Sequence, residues 1–99
     1  MDPVTTAIVI GTASGVARAT TTQVYSALKR VLARKFGSES KIVRAVESVE
    51  TQPNSKNRQD ILAKQVQLTQ ADKDAEVLAA AKALRNKINS QSDEAKTSQ

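Results

Sequence analysis

The stretch Val77-Leu-Ala-Ala-Ala-Lys-Ala-Leu-Arg-Asn-Lys-Ile88 decides the fold class of this 99-residue chain. Val77, Ala81, Leu84 and Ile88 fall at i, i+4, i+7 and i+11, which makes one apolar stripe on a helix. Asp72 is read as opening that helix, with Asp74 and Glu76 in its first turn, where carboxylates suit the positive end of the helix dipole. After Ile88 the periodicity stops. Ser90 to Gln99 is polar and reads as a disordered tail or linker, leaving residues 1–89 as the folded part.

Upstream, the same period recurs between clear punctuation marks. Asn54 or Ser55 caps a helix whose face is Ile61, Leu62, Val66 and Leu68. Pro53 ends the helix before it, which Ser38 is read as capping and whose face is Ile42, Val46 and Val49, with Val43 alongside. Gly37 stops a further helix that begins among Thr20, Thr21 and Thr22, with Val24, Ala27, Leu28, Val31 and Leu32 as its face. Asp2 and Pro3 open the first helix, a carboxylate cap followed by proline where its missing N–H is harmless. That helix is read from about residue 3 to 17; whether it breaks near Arg18 or runs on into the next stays open. The sum is an all-α chain, an antiparallel bundle of four to five helices joined by short polar connections.

Composition narrows the chemistry. Apolar residues make up 39% and charged residues 25%, and Tyr25 and Phe36 are the only aromatics, so the core is built from Val, Ile, Leu and Ala. With no cysteine there is no disulfide frame or thiolate metal site, and with no histidine the commonest general base and zinc ligand are missing. No serine has a base partner, and the carboxylates Asp60, Asp72, Asp74 and Glu76 read as caps and first-turn charges. No catalytic residue, metal ligand or cofactor site is expected. With Asp2 in place of a basic run, Met1 to Ala17 does not read as a secretory signal.

The net charge of +5 is unevenly placed. Up to Gly37, Arg18, Lys29, Arg30, Arg34 and Lys35 face Asp2 alone, whereas the rest of the chain is nearly balanced. A basic edge beside an apolar helix suits anionic headgroups, and it equally suits the negative end of a helix. Nucleic acid is not an expected partner, because no aromatic platform or groove-reading motif accompanies the charge.

The first helix is the chain's candidate working part. Its run Ala7-Ile-Val-Ile-Gly-Thr-Ala-Ser-Gly15 superficially resembles the phosphate turn of short-chain dehydrogenases, but the third glycine would be Ala17 and no lysine follows Gly15 as a P-loop requires. On a helix, Ala7, Gly11, Gly15 and Ala19 instead make a stripe of small residues that admits another backbone, inside the monomer or between copies. Residues 3–17 carry no charge and would span about 22 Å at 1.5 Å per residue, short of a hydrocarbon core of roughly 30 Å. A simple anchor is excluded; a shallow insert or one stave of an oligomer is not.

Met1-Asp-Pro-Val-Thr, the Ala/Gly-rich first helix, Val24-Tyr-Ser-Ala-Leu-Lys-Arg-Val-Leu-Ala-Arg-Lys-Phe-Gly37 and the last helix preceded by Leu68-Thr-Gln-Ala together resemble the bacterial Bell domains. These are helical modules likened to fungal HeLo-type domains and to the killer bundle of mixed lineage kinase-like protein. The resemblance implies a cell-death effector of bacterial immunity, held in the cytoplasm and recruited to the inner membrane by self-association. An NLR-like receptor would trigger it through an amyloid signalling motif not present in this chain. Val4, Ile8, Val9, Ile10 and Val16 would then insert, with Arg18, Lys29, Arg30, Arg34 and Lys35 at anionic lipid. The competing expectation is a non-enzymatic adaptor or oligomerisation module that binds only partner proteins.

Overall fold

A computed structural model describes residues 2–15 and 19–97, with side chains described over 2–13 and 23–89. The described residues form five α-helices: α1 Pro3–Ile10, α2 Ala19–Phe36, α3 Lys41–Thr51, α4 Lys56–Thr69 and α5 Ala75–Thr97. A π-helical turn, Gly11–Gly15, follows α1, and a 3-10 turn, Ala71–Lys73, precedes α5. The all-helical bundle read from the sequence is the fold.

Each boundary has a local cause. Asp2 has extended backbone (φ −69°, ψ 160°), and its carboxylate accepts from the Thr5 N–H at 2.8 Å and the Thr5 hydroxyl at 2.6 Å. Gly37 ends α2 in the left-handed region (φ 103°), where its N–H donates to the Ala33 carbonyl at 2.9 Å. The cap of α3 is Ser40 and not Ser38: Ser40 has the extended backbone (φ −67°, ψ 159°) that brings its hydroxyl to the Val43 N–H. Ser55 caps α4 in the same way, accepting from the Arg58 N–H. Asp72 does not open α5. It lies in the 3-10 turn, and Asp74 is the cap, accepting from the N–H groups of Glu76 at 2.9 Å and Val77 at 3.1 Å. The backbone of α5 continues as helix to Thr97, into the stretch read as a tail, where no glycine or proline stops it.

Helix α1 is shorter than its sequence suggested. Regular α-helix ends at Ile10, and the turn from Gly11 to Gly15 widens to π spacing. The Thr12 hydroxyl donates to the Val9 carbonyl at 3.0 Å, occupying an acceptor within the transition. The possible break near Arg18 falls outside the described residues.

Helix α1 packs against α4 and α5, α2 against α3 and α5, and α3 against α4. The four-residue connections Gly37–Ser40 and Gln52–Ser55 turn the chain back on itself, as an antiparallel bundle requires. Val77, Ala81 and Leu84 are buried as read, with Ile88 at the core's margin, and so are Ile42, Val43, Val46 and Val49. Two faces were read with the wrong rotation. On α2 the core takes Tyr25, Leu28 and Leu32, leaving Ala27 exposed and Val24 and Val31 at the edge. On α4 only Leu62 and Val66 are buried, while Ile61 and Leu68 face outward at 48% and 65% exposure. Leu62 and Val66, four apart, meet the core; Ile61 and Leu68, seven apart, share a different line of the same helix.

Candidate functional site

Val4, Thr5, Ala7 and Ile8 of α1 have no exposed surface at all, and Val9 and Ile10 are half-buried. The residues read as membrane-inserting therefore lie inside the bundle in this state, except Val16, which falls outside the described residues. The polar groups within this apolar helix are paired internally. Thr5 bonds Asp2, the Thr6 hydroxyl donates to the Asp2 carbonyl at 2.8 Å, and Thr12 bonds Val9. Among the described residues, no buried side-chain donor or acceptor lacks a partner.

The small-residue stripe has a visible use at its centre. A Cβ placed on Gly11 would lie 3.2 Å from Cδ2 of Tyr25 and 3.3 Å from Cδ2 of Leu84. Glycine is what lets α2 and α5 close around the end of α1, a contact inside the monomer. Ala7 is buried in the same core. Gly15 is the last residue of the π turn. Ala19 begins α2, and its side chain is outside those described.

Tyr25, which the sequence reading counted but did not place, closes this collar. Its ring is 7% exposed, and its hydroxyl donates to Oε2 of Glu50 at 2.7 Å. Burial, and then the Glu50 carboxylate it donates to, push the phenol far above its usual range, so it remains a neutral donor. Lys29 completes the group with its Nζ 2.9 Å from Oε2 and 3.2 Å from Oε1 of Glu50. A signal for Tyr25 was present: Tyr25, Leu28 and Leu32 follow i, i+3, i+7.

The basic residues read as lipid contacts are mostly engaged. Lys29 pairs with Glu50, Arg34 with Glu76, and Lys35 with Asp74 at 3.1 Å and Glu76 at 3.4 Å. Arg34 and Lys35 thus occupy the last turn of α2 and meet the acidic start of α5. The Val77 N–H first, and then Lys35, hold the Asp74 carboxyl below its ordinary range. These pairs are solvent-screened and individually weak. Arg30 is exposed and has no ion pair among the described residues, and Arg18 lies outside them.

The glycine segment follows a helix and is itself helical, so it does not form the strand-to-helix phosphate turn it superficially resembles. Among the described residues no cluster of His, Cys, Asp or Glu could hold a metal, and no helix is long and apolar enough to cross a membrane.

Compared with known proteins, the chain is matched by the Het-E N-terminal domain over residues 1–99. That family is HeLo-like and is associated with cell-death and heterokaryon-incompatibility signalling. No curated protein and no solved structure matches the chain.

Proposed function

The chain belongs to the Het-E N-terminal domain family, and from that premise we propose that it is a membrane-targeting cell-death effector acting through self-association and insertion of α1. The observation that carries this reading is the burial of α1: an uncharged helix whose Val4, Ala7 and Ile8 have zero exposure inside a bundle whose other helices carry charged residues. Such a segment stays soluble while sheltered and becomes membrane-active when released.

The action is mechanical, with no catalytic step and no cofactor. Withdrawing α1 uncovers the faces of α4 and α5 that it covered, and these close most readily against other copies, which couples insertion to clustering. Residues 3–17 are too short to anchor one copy across about 30 Å of hydrocarbon, so insertion is shallow or shared among staves. The resemblance to Bell domains carries the finer setting: a bacterial immune pathway, an NLR-like receptor acting through an amyloid motif beyond this segment, and movement from the cytoplasm to the inner membrane. Headgroup contact by Lys29, Arg34 and Lys35 would require their present ion pairs to open.

Purified protein fused to an inducible clustering module is expected to release dye from anionic liposomes when clustered. Val9→Glu is the better test of insertion than Ile8→Glu. Val9 is only partly buried, at the core's margin, so a charge there disturbs the folded state less than one at Ile8, which is fully buried. Release is expected to fall at least tenfold in Val9→Glu, since a charge near the bilayer centre costs about 2.5–3.5 kcal/mol. Intact liposomes under forced clustering of the wild type would overturn the reading in favour of a partner-binding adaptor.

A further inference from the structure

Ile61 and Leu68 are the large apolar side chains that stand exposed among the described residues, and both belong to α4. Seven residues apart, they lie on one face about 10 Å from each other along the axis, with Lys64 between them at i+3 from Ile61. Beside that face runs a groove of about 300 Å³ between α3 and α4, lined by Lys41, Arg44, Ala45, Ser48, Ile61 and Gln65. No carboxylate lines it; the nearest acidic residues in sequence, Glu47 on α3 and Asp60 on α4, are not among its walls. Lys41, Arg44 and Lys64 have no ion pair among the described residues, whereas Lys29, Arg34 and Lys35 on α2 each have one. Three basic residues of the cluster prominent in the sequence are thus paired within the fold, whereas those of the α3–α4 face are not.

We infer that the α3–α4 face is the surface by which the folded bundle docks on an anionic lipid bilayer, with α1 still inside. Charge complementarity selects a negative occupant. The groove offers a single large apolar side chain, too few anchors for an amphipathic partner helix, which needs several at i, i+3 or i+4 and i+7. Two protruding apolar side chains flanked by long basic ones suit instead the boundary of headgroups and acyl chains, where lysine and arginine stems lie along apolar surface and their charges reach phosphate. This inference rests on the membrane reading above but assigns the first contact to a different face from the inserting helix. Docking would hold the bundle at the surface before clustering releases α1.

The test is co-sedimentation of the unclustered protein with vesicles of two parts phosphatidylcholine to one part phosphatidylserine, with pure phosphatidylcholine vesicles and immobilised polyglutamate alongside. Wild type is expected to partition onto the mixed vesicles, less as salt rises, and not onto the neutral ones. Each of Lys41→Gln, Arg44→Gln and Lys64→Gln is expected to weaken partitioning about fivefold. Leu68→Ser is expected to weaken it roughly tenfold. All four residues are exposed, and unchanged circular dichroism and melting would certify their folds. Lys82→Gln with Lys87→Gln on α5, which packs on α1 and α2, is expected to change partitioning less than twofold. Undiminished sedimentation of the α3–α4 variants, or none by the wild type, would overturn the inference, and wild-type retention on polyglutamate alone would reassign the face to an acidic protein. Dye release on clustering, read on the same vesicles, separates the two claims. Release without a role for this face leaves insertion standing and docking refuted; docking without release does the reverse.

Discussion

Helix α5 carries its apolar residues on one stripe, is rich in alanine, and opens on an aspartate that bonds two backbone N–H groups. Helix α1, which packs against it, has β-branched residues at Val4, Thr5, Thr6, Ile8, Val9 and Ile10, carries no charge, and dissolves into a π turn between two glycines. Alanine favours helix, whereas β-branched residues and glycine each oppose it by up to about 1 kcal/mol per residue. The two neighbours therefore hold their shapes for different reasons. Helix α5 has local sequence and packing in agreement, while α1 is kept helical by its cap and by the core around it. An element stabilised mainly from outside is the one that can leave without the rest unfolding first.

The sharpest way to break this contrast is to crowd the collar. Gly11→Val would push into Tyr25 and Leu84, and Tyr25 has little freedom to retreat because Glu50 holds its hydroxyl. Overpacking of this kind costs about 1–3 kcal/mol. The loss should appear as a lower urea midpoint together with faster amide exchange in α1. An unchanged midpoint would show that the collar is looser than drawn. Removing the α1 cap comes next. Asp2→Ala should cost about 1 kcal/mol, felt as increased exchange confined to α1, because its bonds all close on Thr5 and the first turn. If that substitution lowers protection in α5 equally, the two helices open together and the contrast fails.

The smallest expected effect concerns the α5 cap. The Asp74 carboxyl is held below the ordinary aspartate value of about 3.9 in the folded chain. As pH falls, the unfolded chain takes up that proton first, so the stability Asp74 contributes is present above about pH 4 and is lost as pH drops through its lower folded value. Asp74→Asn keeps a capping side chain and removes this titration. Its melting temperature should fall less steeply than that of the wild type below about pH 4, and parallel curves would remove Asp74 from the account.

Features set by neighbouring residues were legible in the sequence. The α5 stripe, the valines of α3, Asp2 with Pro3, Gly37 as a stop and Pro53 as a barrier all act through local geometry. Features set across space were not. Ser38 and Ser40 are equivalent as residue types, and only the path of the chain after Gly37 chooses between them. Ile61 and Leu62 are adjacent and equally apolar, so the core-facing side of α4 depends on where α1 and α3 lie. The close seat of Gly11 depends on Tyr25 and Leu84, which α2 and α5 bring to it. The ion pairs of Arg34 and Lys35 were not legible either, because the fold brings Asp74 and Glu76 to them from the start of α5.

Native-state hydrogen exchange in low urea tests the central claim most directly, comparing the amides of Ala7 to Ile10 in α1 with those of Ala81 to Leu84 in α5. The α1 amides are expected to exchange through a smaller opening, with weaker urea dependence and lower free energy than the α5 amides, which require global unfolding. Exchange of both sets with the same free energy and the same urea dependence would mean that α1 leaves only when the whole bundle unfolds, and would contradict the account.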